Sequence, residues 1–256
     1  MEEIFDTIAD EISRARSVAV FTGAGMSQES GIPTFRDAQT GLWARFRPED
    51  LATLAAFLDD PPRVFAWYLQ RLMSIRGVVP NDGHAAIASL DEIVESVDVI
   101  TQNIDGLHAR AGSASVFELH GSIERFRCVA SGHAFPLDAV LELADGSDHV
   151  EPPACPACGA LIRPGVVWFG EMLPEEAVAA SWESAAKCDV MLVVGTAAQV
   201  FPAAELPSVA PPAGATSKKI NPHPTPVSDW VGYRVPATAA MALPRLIDRL
   251  APAGSS

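Results

Sequence analysis

Basic residues are scarce in this chain. Eighteen lysines and arginines face 32 aspartates and glutamates over 256 residues, a formal net charge of −14. Lysine occurs only at Lys187, Lys218 and Lys219. A polyanion would meet net repulsion rather than release counterions from a basic face, so no nucleic-acid partner is expected. Long apolar runs are missing too. Val190-Met191-Leu192-Val193-Val194 is among the longest, far short of the roughly 20 residues of a membrane span. Met1-Glu2-Glu3 opens an acidic segment unlike a secretory signal. These absences predict a soluble, cytoplasmic protein with no membrane partner. Cysteine is limited to Cys128, Cys155, Cys158 and Cys188. Without a secretory signal these are read as thiols or metal ligands rather than a disulfide framework. The sequence leaves the oligomeric state open.

What is present is a core. Hydrophobic residues make up 48% of the chain, enough for one large domain or a domain with an inserted module. Ile4, Phe5, Ile8, Ile12 and Ala15 share one helical stripe, and the apolar run Val18 to Phe21 then leads into Gly23-Ala24-Gly25. The pattern recurs at Val97 to Ile100 before Thr101-Gln102-Asn103, and at Asp189 to Val194 before Gly195-Thr196. Three buried strands thus end in small or polar residues. An open parallel sheet binds ligands beyond the carboxyl ends of its strands, where the winding reverses. The expected fold is α/β, a Rossmann-like doubly wound parallel sheet. Residues 38–82 read as a helical insertion, in which Pro61-Pro62 opens a helix carrying Val64, Phe65, Trp67, Tyr68, Leu69, Leu72 and Met73. Residues 126–164 break the α/β rhythm and hold three cysteines, which predicts a small metal-binding module. The nucleotide-binding core is then assembled from residues 1–37, 83–125 and 165–256.

Taken singly, the local motifs differ in strength. Gly23-Ala24-Gly25 lets backbone approach a pyrophosphate, but Gln28 stands where the dinucleotide fingerprint wants its third glycine. Asn103 and Asp105 lie just past a strand and suit a turn or a ligand. His120, between Leu119 and Gly121, is placed to expose its imidazole at a strand end. Cys155-Pro156-Ala157-Cys158 is a zinc half-site. Its partner reads Cys128-Val129-Ala130-Ser131, leaving either the weakly ligating Ser131 hydroxyl or His133 as fourth ligand. An incomplete thiolate set predicts weak or partial zinc binding. His84, His108, Cys188 and Trp168 are read as structural.

In order along the chain, Phe21 to Asp37 (FTGAGMSQESGIPTFRD), Thr101 to His108 (TQNIDGLH), Glu118-Leu119-His120-Gly121, Val166 to Glu171 (VVWFGE), Gly195-Thr196 and Asn221 resemble the sirtuins. The resemblance covers nearly the whole chain. It implies a single catalytic domain that uses NAD as co-substrate to remove acyl groups from protein lysines, giving nicotinamide and 2′-O-acyl-ADP-ribose. It assigns Gly23, Ala24, Gly25, Ser27, Phe35, Arg36, Gln102, Asn103, Ile104, Asp105, Gly195, Thr196 and Asn221 to the cofactor. His120 becomes the general base, supported by Asn103, a role that suits an imidazole. Val167, Phe169 and Gly170 lie along an acyl-lysine peptide that adds to the strand, and the small module becomes zinc-ribbon-like, with Cys128, Cys155 and Cys158 as ligands. Tyr68-Leu69-Gln70-Arg71 resembles the class III members, in which this pair binds the carboxylate of succinyl- or malonyl-lysine; a fork of donors matches that group. Rival readings are a plain deacetylase, an NAD hydrolase or ADP-ribosyltransferase, and a catalytically weak NAD-sensing module. The chain departs from the family where Ala197 replaces a serine and where Ser217-Lys218-Lys219-Ile220 is unusually polar for a strand.

Overall fold

A computed structural model describes residues 2–33, 47–209, 216–225 and 231–250. Phe35, Arg36 and the Gly41-Leu42-Trp43 segment lie outside the described residues. The strands are β1 (Ser17–Thr22), β2 (Ser96–Thr101), β3 (Val116–Glu118), β4 (Gly121–Cys128), β5 (Ala134–Phe135), β6 (Ile162–Val166), β7 (Val190–Val194), β8 (Thr216–Ile220) and β9 (Tyr233–Val235). The helices are α1 (Glu2–Arg14), α2 (Leu54–Asp59), α3 (Pro61–Arg76), α4 (Asp82–Ser89), α5 (Leu107–Arg110), α6 (Leu137–Leu141), α7 (Glu175–Lys187), α8 (Leu206–Val209) and α9 (Ala239–Leu250). None of them is long and apolar enough to cross a membrane, among the described residues.

Side-chain alternation along β1 sets the layering. Val18 and Val20 pack with Phe5, Ile8, Ile12, Val99, Leu192, Leu243 and Leu246, a core beneath α1, α4 and α9. Ala19 and Phe21 face the other way and join Ile100, Met191, Val193, Leu206 and Ala185 of α7. A sheet buried on both faces needs continuous apolar strands, and β7 is buried at all five positions. The six strands run in the order β3-β2-β1-β7-β8-β9, and every pairing between them is parallel. The chain winds from β1 to β2 to β3 in one direction, then resumes at β7 on the opposite flank of β1. The crevice of this Rossmann-like sheet therefore opens between the carboxyl ends of β1 and β7.

The polar β8 has a structural reason. Lys218 is fully buried, ion-paired with Glu11 of α1 and lying over the Tyr233 ring. Lys219 points to the opposite face, where its ammonium donates to Thr225 Oγ1 and the His223 carbonyl. Burying a charge without such partners would cost several kcal/mol.

A second antiparallel sheet, β5-β4-β6, projects from the first. Its Phe126, Ile123 and Ile162 share one apolar core with Leu51, Phe57, Val64, Phe65, Leu69 and Leu72 from the helical segment. Asp60 caps α3 by accepting from Arg63 N, with Pro61 and Pro62 in the first turn, where a missing N–H costs nothing. The helical segment and the small sheet are thus packed on each other, and a cleft runs between them and the crevice of the large sheet.

Candidate active site

At the crevice the two glycine turns meet. Gly25 N donates to the Gly195 carbonyl at 2.8 Å. A Cβ on Gly25 would stand 2.8 Å from that oxygen, and one on Gly195, at φ +60°, 2.3 Å from Met26 N. Both glycines are therefore demanded by each other's backbone.

Beyond β2, short polar side chains form one network. Gln102 Nε2 donates to Thr196 Oγ1 at 2.8 Å, and Asn103 Nδ2 to the Gly23 carbonyl at 3.1 Å and Ser27 Oγ at 3.2 Å. Ser27 Oγ donates to Asp105 Oδ2 at 2.7 Å, while Asp105 Oδ1 accepts from Leu107 N at 3.0 Å. Burial raises the Asp105 pKa, and these two bonds counteract it. Asn221 reaches the same group, Nδ2 donating to the Thr196 carbonyl at 3.3 Å. Gly23, Gly25, Ser27, Gln102, Asn103, Asp105, Gly195, Thr196 and Asn221 are thus brought together, although only Ser27, Gln102, Asn103 and Asp105 of these nine line the cavity itself.

His120 follows β3. Its Nδ1 lies 2.9 Å from the Gln102 carbonyl. A carbonyl can only accept, so Nδ1 carries the proton and Nε2 keeps a lone pair. Burial lowers the His120 pKa, leaving the ring neutral and basic near neutrality.

The cavity, about 250 Å³, runs from Ala24, Ser27, Ile32, Asn103 and His120 to Trp67, Tyr68, Arg71, Val166, Val167, Trp168 and Phe169. Ile104 and Gly170 also line it. Tyr68 and Arg71 stand one turn apart on α3 and face the same space. Tyr68 is buried, and burial pushes its hydroxyl up to about 12, so it remains a donor. Burial lowers the Arg71 pKa, partly offset by Tyr68 and Asp105.

His84 and His108, read as structural from the sequence, are buried behind the polar network. His84 Nε2 lies 3.4 Å from Ser27 Oγ, and His108 Nε2 lies 3.0 Å from Thr22 Oγ1, with the two rings 4.8 Å apart. Burial pulls their pKa values down to about 4 and about 3. Both are therefore neutral, His84 against Ser27 and His108 against Thr22. In the capping box at the start of α4, Asn81 Oδ1 accepts from His84 N and His84 Nδ1 accepts from Asn81 N.

In the small sheet His133 stands with the three thiols, in the place of a fourth ligand. The ligand atoms of Cys128, His133, Cys155 and Cys158 all lie within 4.8 Å of one another. Cys155 Sγ is 3.5 Å from His133 Nδ1, and Cys128 Sγ 3.4 Å from Cys158 Sγ. Ser131 contributes its backbone N–H to Cys128 Sγ at 3.3 Å, which helps pull that thiol down to about 6. Three sulfurs and one imidazole nitrogen so close together fit tetrahedral zinc.

The donor set at the crevice fits NAD equally well, since neutral amides and a carboxylate complement a carboxamide and ribose hydroxyls at a switch point of the winding. Fold and site together define an α/β protein with a dinucleotide-type crevice at one end of a cleft and an aromatic pocket bearing Tyr68 and Arg71 at the other. The Sir2 family model matches residues 23–202. The chain is 50% identical over 233 residues to an NAD-dependent protein deacylase of Mycobacterium tuberculosis, covering 91% of this chain and 97% of the relative. It is 45% identical over 247 residues to NAD-dependent protein deacylase 1 of Pseudomonas aeruginosa, covering 96% and 98%. A solved Sir2 homolog–NAD complex superposes with a TM-score of 0.86 at 38% identity, covering 96% of this chain and 93% of that one. The chain belongs to the Sir2 family.

Proposed function

We propose that this enzyme removes acidic acyl groups, succinyl and malonyl, from protein lysines in preference to acetyl. The coarser activity, NAD-dependent protein deacylation, follows from family membership and from relatives of that name. The observation that carries the finer reading is the pair Tyr68 and Arg71, which line the same cavity as His120. A guanidinium and a phenol side by side match a carboxylate in charge and geometry, whereas an acetyl methyl offers them nothing.

NAD, when bound, supplies an ADP-ribosyl group whose nicotinamide can leave, making the ribose the acceptor of the acyl group. Gln102, Asn103 and Asp105 orient the carboxamide and ribose. Ser27 and Gly23 fix Asn103 by accepting from its amide. His120 takes a proton at Nε2, because Nδ1 is committed to the Gln102 carbonyl. The apolar walls Ile104, Val166, Val167 and Trp168 exclude water from the acyl chain. Phe169 and Gly170 line the acyl-lysine end, where the substrate peptide pairs with the segment after β6. The product is 2′-O-acyl-ADP-ribose. Mass spectrometry of acetyl-lysine and succinyl-lysine peptides with and without NAD tests the proposal: faster loss of the succinyl group is expected, and faster loss of acetyl refutes it.

A further inference from the structure

Trp168 is held more tightly than a space-filling residue needs to be. Its ring is 2% exposed and packs 5.4 Å from the Phe57 ring, with the Arg163 guanidinium carbon 3.3 Å from its centroid on the stacking face. Arg163 is itself fixed, since it pairs with both Glu171 oxygens and donates to the Val166 carbonyl at 2.7 Å. Glu171 Oε2 also accepts from Trp168 N at 2.9 Å, locking the backbone of the same residue. The result of this clamping is one contact. Trp168 Nε1 donates to Tyr68 Oη at 2.8 Å across a sequence separation of 100 residues.

An indole nitrogen can only donate, so Tyr68 must accept, and its own proton must point elsewhere. A phenol proton lies near the ring plane on one of two sides. With the indole N–H on one side, the proton is left to the other. We propose that Trp168 is the positioning residue for acyl selectivity, occupying one lone pair of Tyr68 so that the phenol proton is presented to the acyl carboxylate beside Arg71. This rests on the acidic-acyl reading above. It makes selectivity a property of three side chains, of which Trp168 touches the phenol and not the carboxylate. A merely apolar filler at 168 would keep the packing and lose the orientation.

The test compares kcat/KM for succinyl-lysine and acetyl-lysine peptides in the wild type, Arg71→Met, Tyr68→Phe, Trp168→Phe and the Tyr68→Phe/Trp168→Phe double variant. Trp168→Phe should lower the succinyl-to-acetyl ratio about fivefold, the size of one oriented hydrogen bond, through KM rather than kcat. The same substitution should leave the ratio unchanged in the Tyr68→Phe background, because the phenol through which it acts is gone. A ratio unaffected by Trp168→Phe, or reduced equally with and without Tyr68, overturns the assignment. If the wild type prefers succinyl-lysine and Arg71→Met abolishes that preference while Trp168→Phe does not alter it, the acidic-acyl reading stands and the role of Trp168 falls. If the wild type prefers acetyl-lysine, both fall. Should Trp168→Phe not fold, the indole 15N–1H resonances of the wild type and Tyr68→Phe decide the point. The Trp168 resonance is expected to shift when the hydroxyl is removed, and an unmoved resonance contradicts the contact.

Discussion

The two ends of the cleft are built differently. At the cofactor end, Ser27, Gln102, Asn103 and Asp105 are short side chains bonded to each other and to the backbone at the carboxyl ends of parallel strands. At the acyl end, Tyr68, Arg71 and Trp168 are large side chains on α3 and on the segment after β6, set by aromatic packing and a clamped arginine. On the proposed reading the first end serves a ligand that does not vary and the second meets the varying part of the substrate. The second is also joined to the small cysteine-bearing sheet, since Cys128, Cys155, Tyr68 and Trp168 belong to one core. The difference teaches that chemistry and selectivity are separable here, and substitutions should divide along the same line.

The largest expected effect lies under the cofactor end. His84 and His108 are buried neutral, with pKa values of about 4 and about 3. The unfolded chain titrates near 6.5 and binds more protons than the fold between those values, so stability falls as pH drops through that window. Between pH 7.5 and pH 5 the loss is about 2 kcal/mol for each histidine, or about 4 kcal/mol for the pair. Urea midpoints across that range check it, and His108→Gln should remove about half the slope. Next, His120→Ala should slow deacylation of every acyl substrate by about 10²-fold or more, with little change in stability. Wild-type kcat/KM should fall on the acid side of a pKa below that of free imidazole, because burial lowers the His120 pKa. Rates for His120→Ala within tenfold of wild type would remove it from that role.

Smaller effects belong to the acyl end. His133→Ala should weaken zinc binding by at least about tenfold, the loss seen even for an outer partner of a metal ligand. Ser131→Ala should leave zinc bound, since residue 131 acts through its backbone N–H. Equal zinc loss from both substitutions, read by competition with a chelator, would contradict the ligand set. Tyr68→Phe should cost about fivefold in kcat/KM for succinyl-lysine, one hydrogen-bond donor, and much less for acetyl-lysine.

The contrast between the two ends also explains what could be read in advance. The strands, the switch-point crevice and the contiguous segments around Gly23, Asn103 and His120 were legible because each is local, an apolar run followed by its ligand-facing turn. The α3 start at Pro61 was legible from the Pro61-Pro62 pair, which suits a helix's first turn. The Trp168–Tyr68 contact was not, because 100 residues separate its members and Trp168 reads as core until its N–H is located. Nor was the approach of His133 to the three thiols, which depends on how β4 and β5 pair at Arg127 and Ala134. The buried lysines of β8 looked like a defect in a strand, and their partners lie on α1 and in the loop after β8.

The central claim is that Arg71 makes this enzyme selective for an acidic acyl group, and one measurement bears on it most directly: kcat/KM for succinyl-lysine and acetyl-lysine versions of one peptide, in wild type and Arg71→Met. A carboxylate ~4 Å from a guanidinium gains roughly 4 kcal/mol at an effective dielectric of about 20, and half of that, left after desolvation, still exceeds a factor of about ten. Wild type is expected to prefer succinyl-lysine, and Arg71→Met to lower that preference more than about tenfold. A wild-type preference for acetyl-lysine, or an equal loss on both peptides, would contradict it.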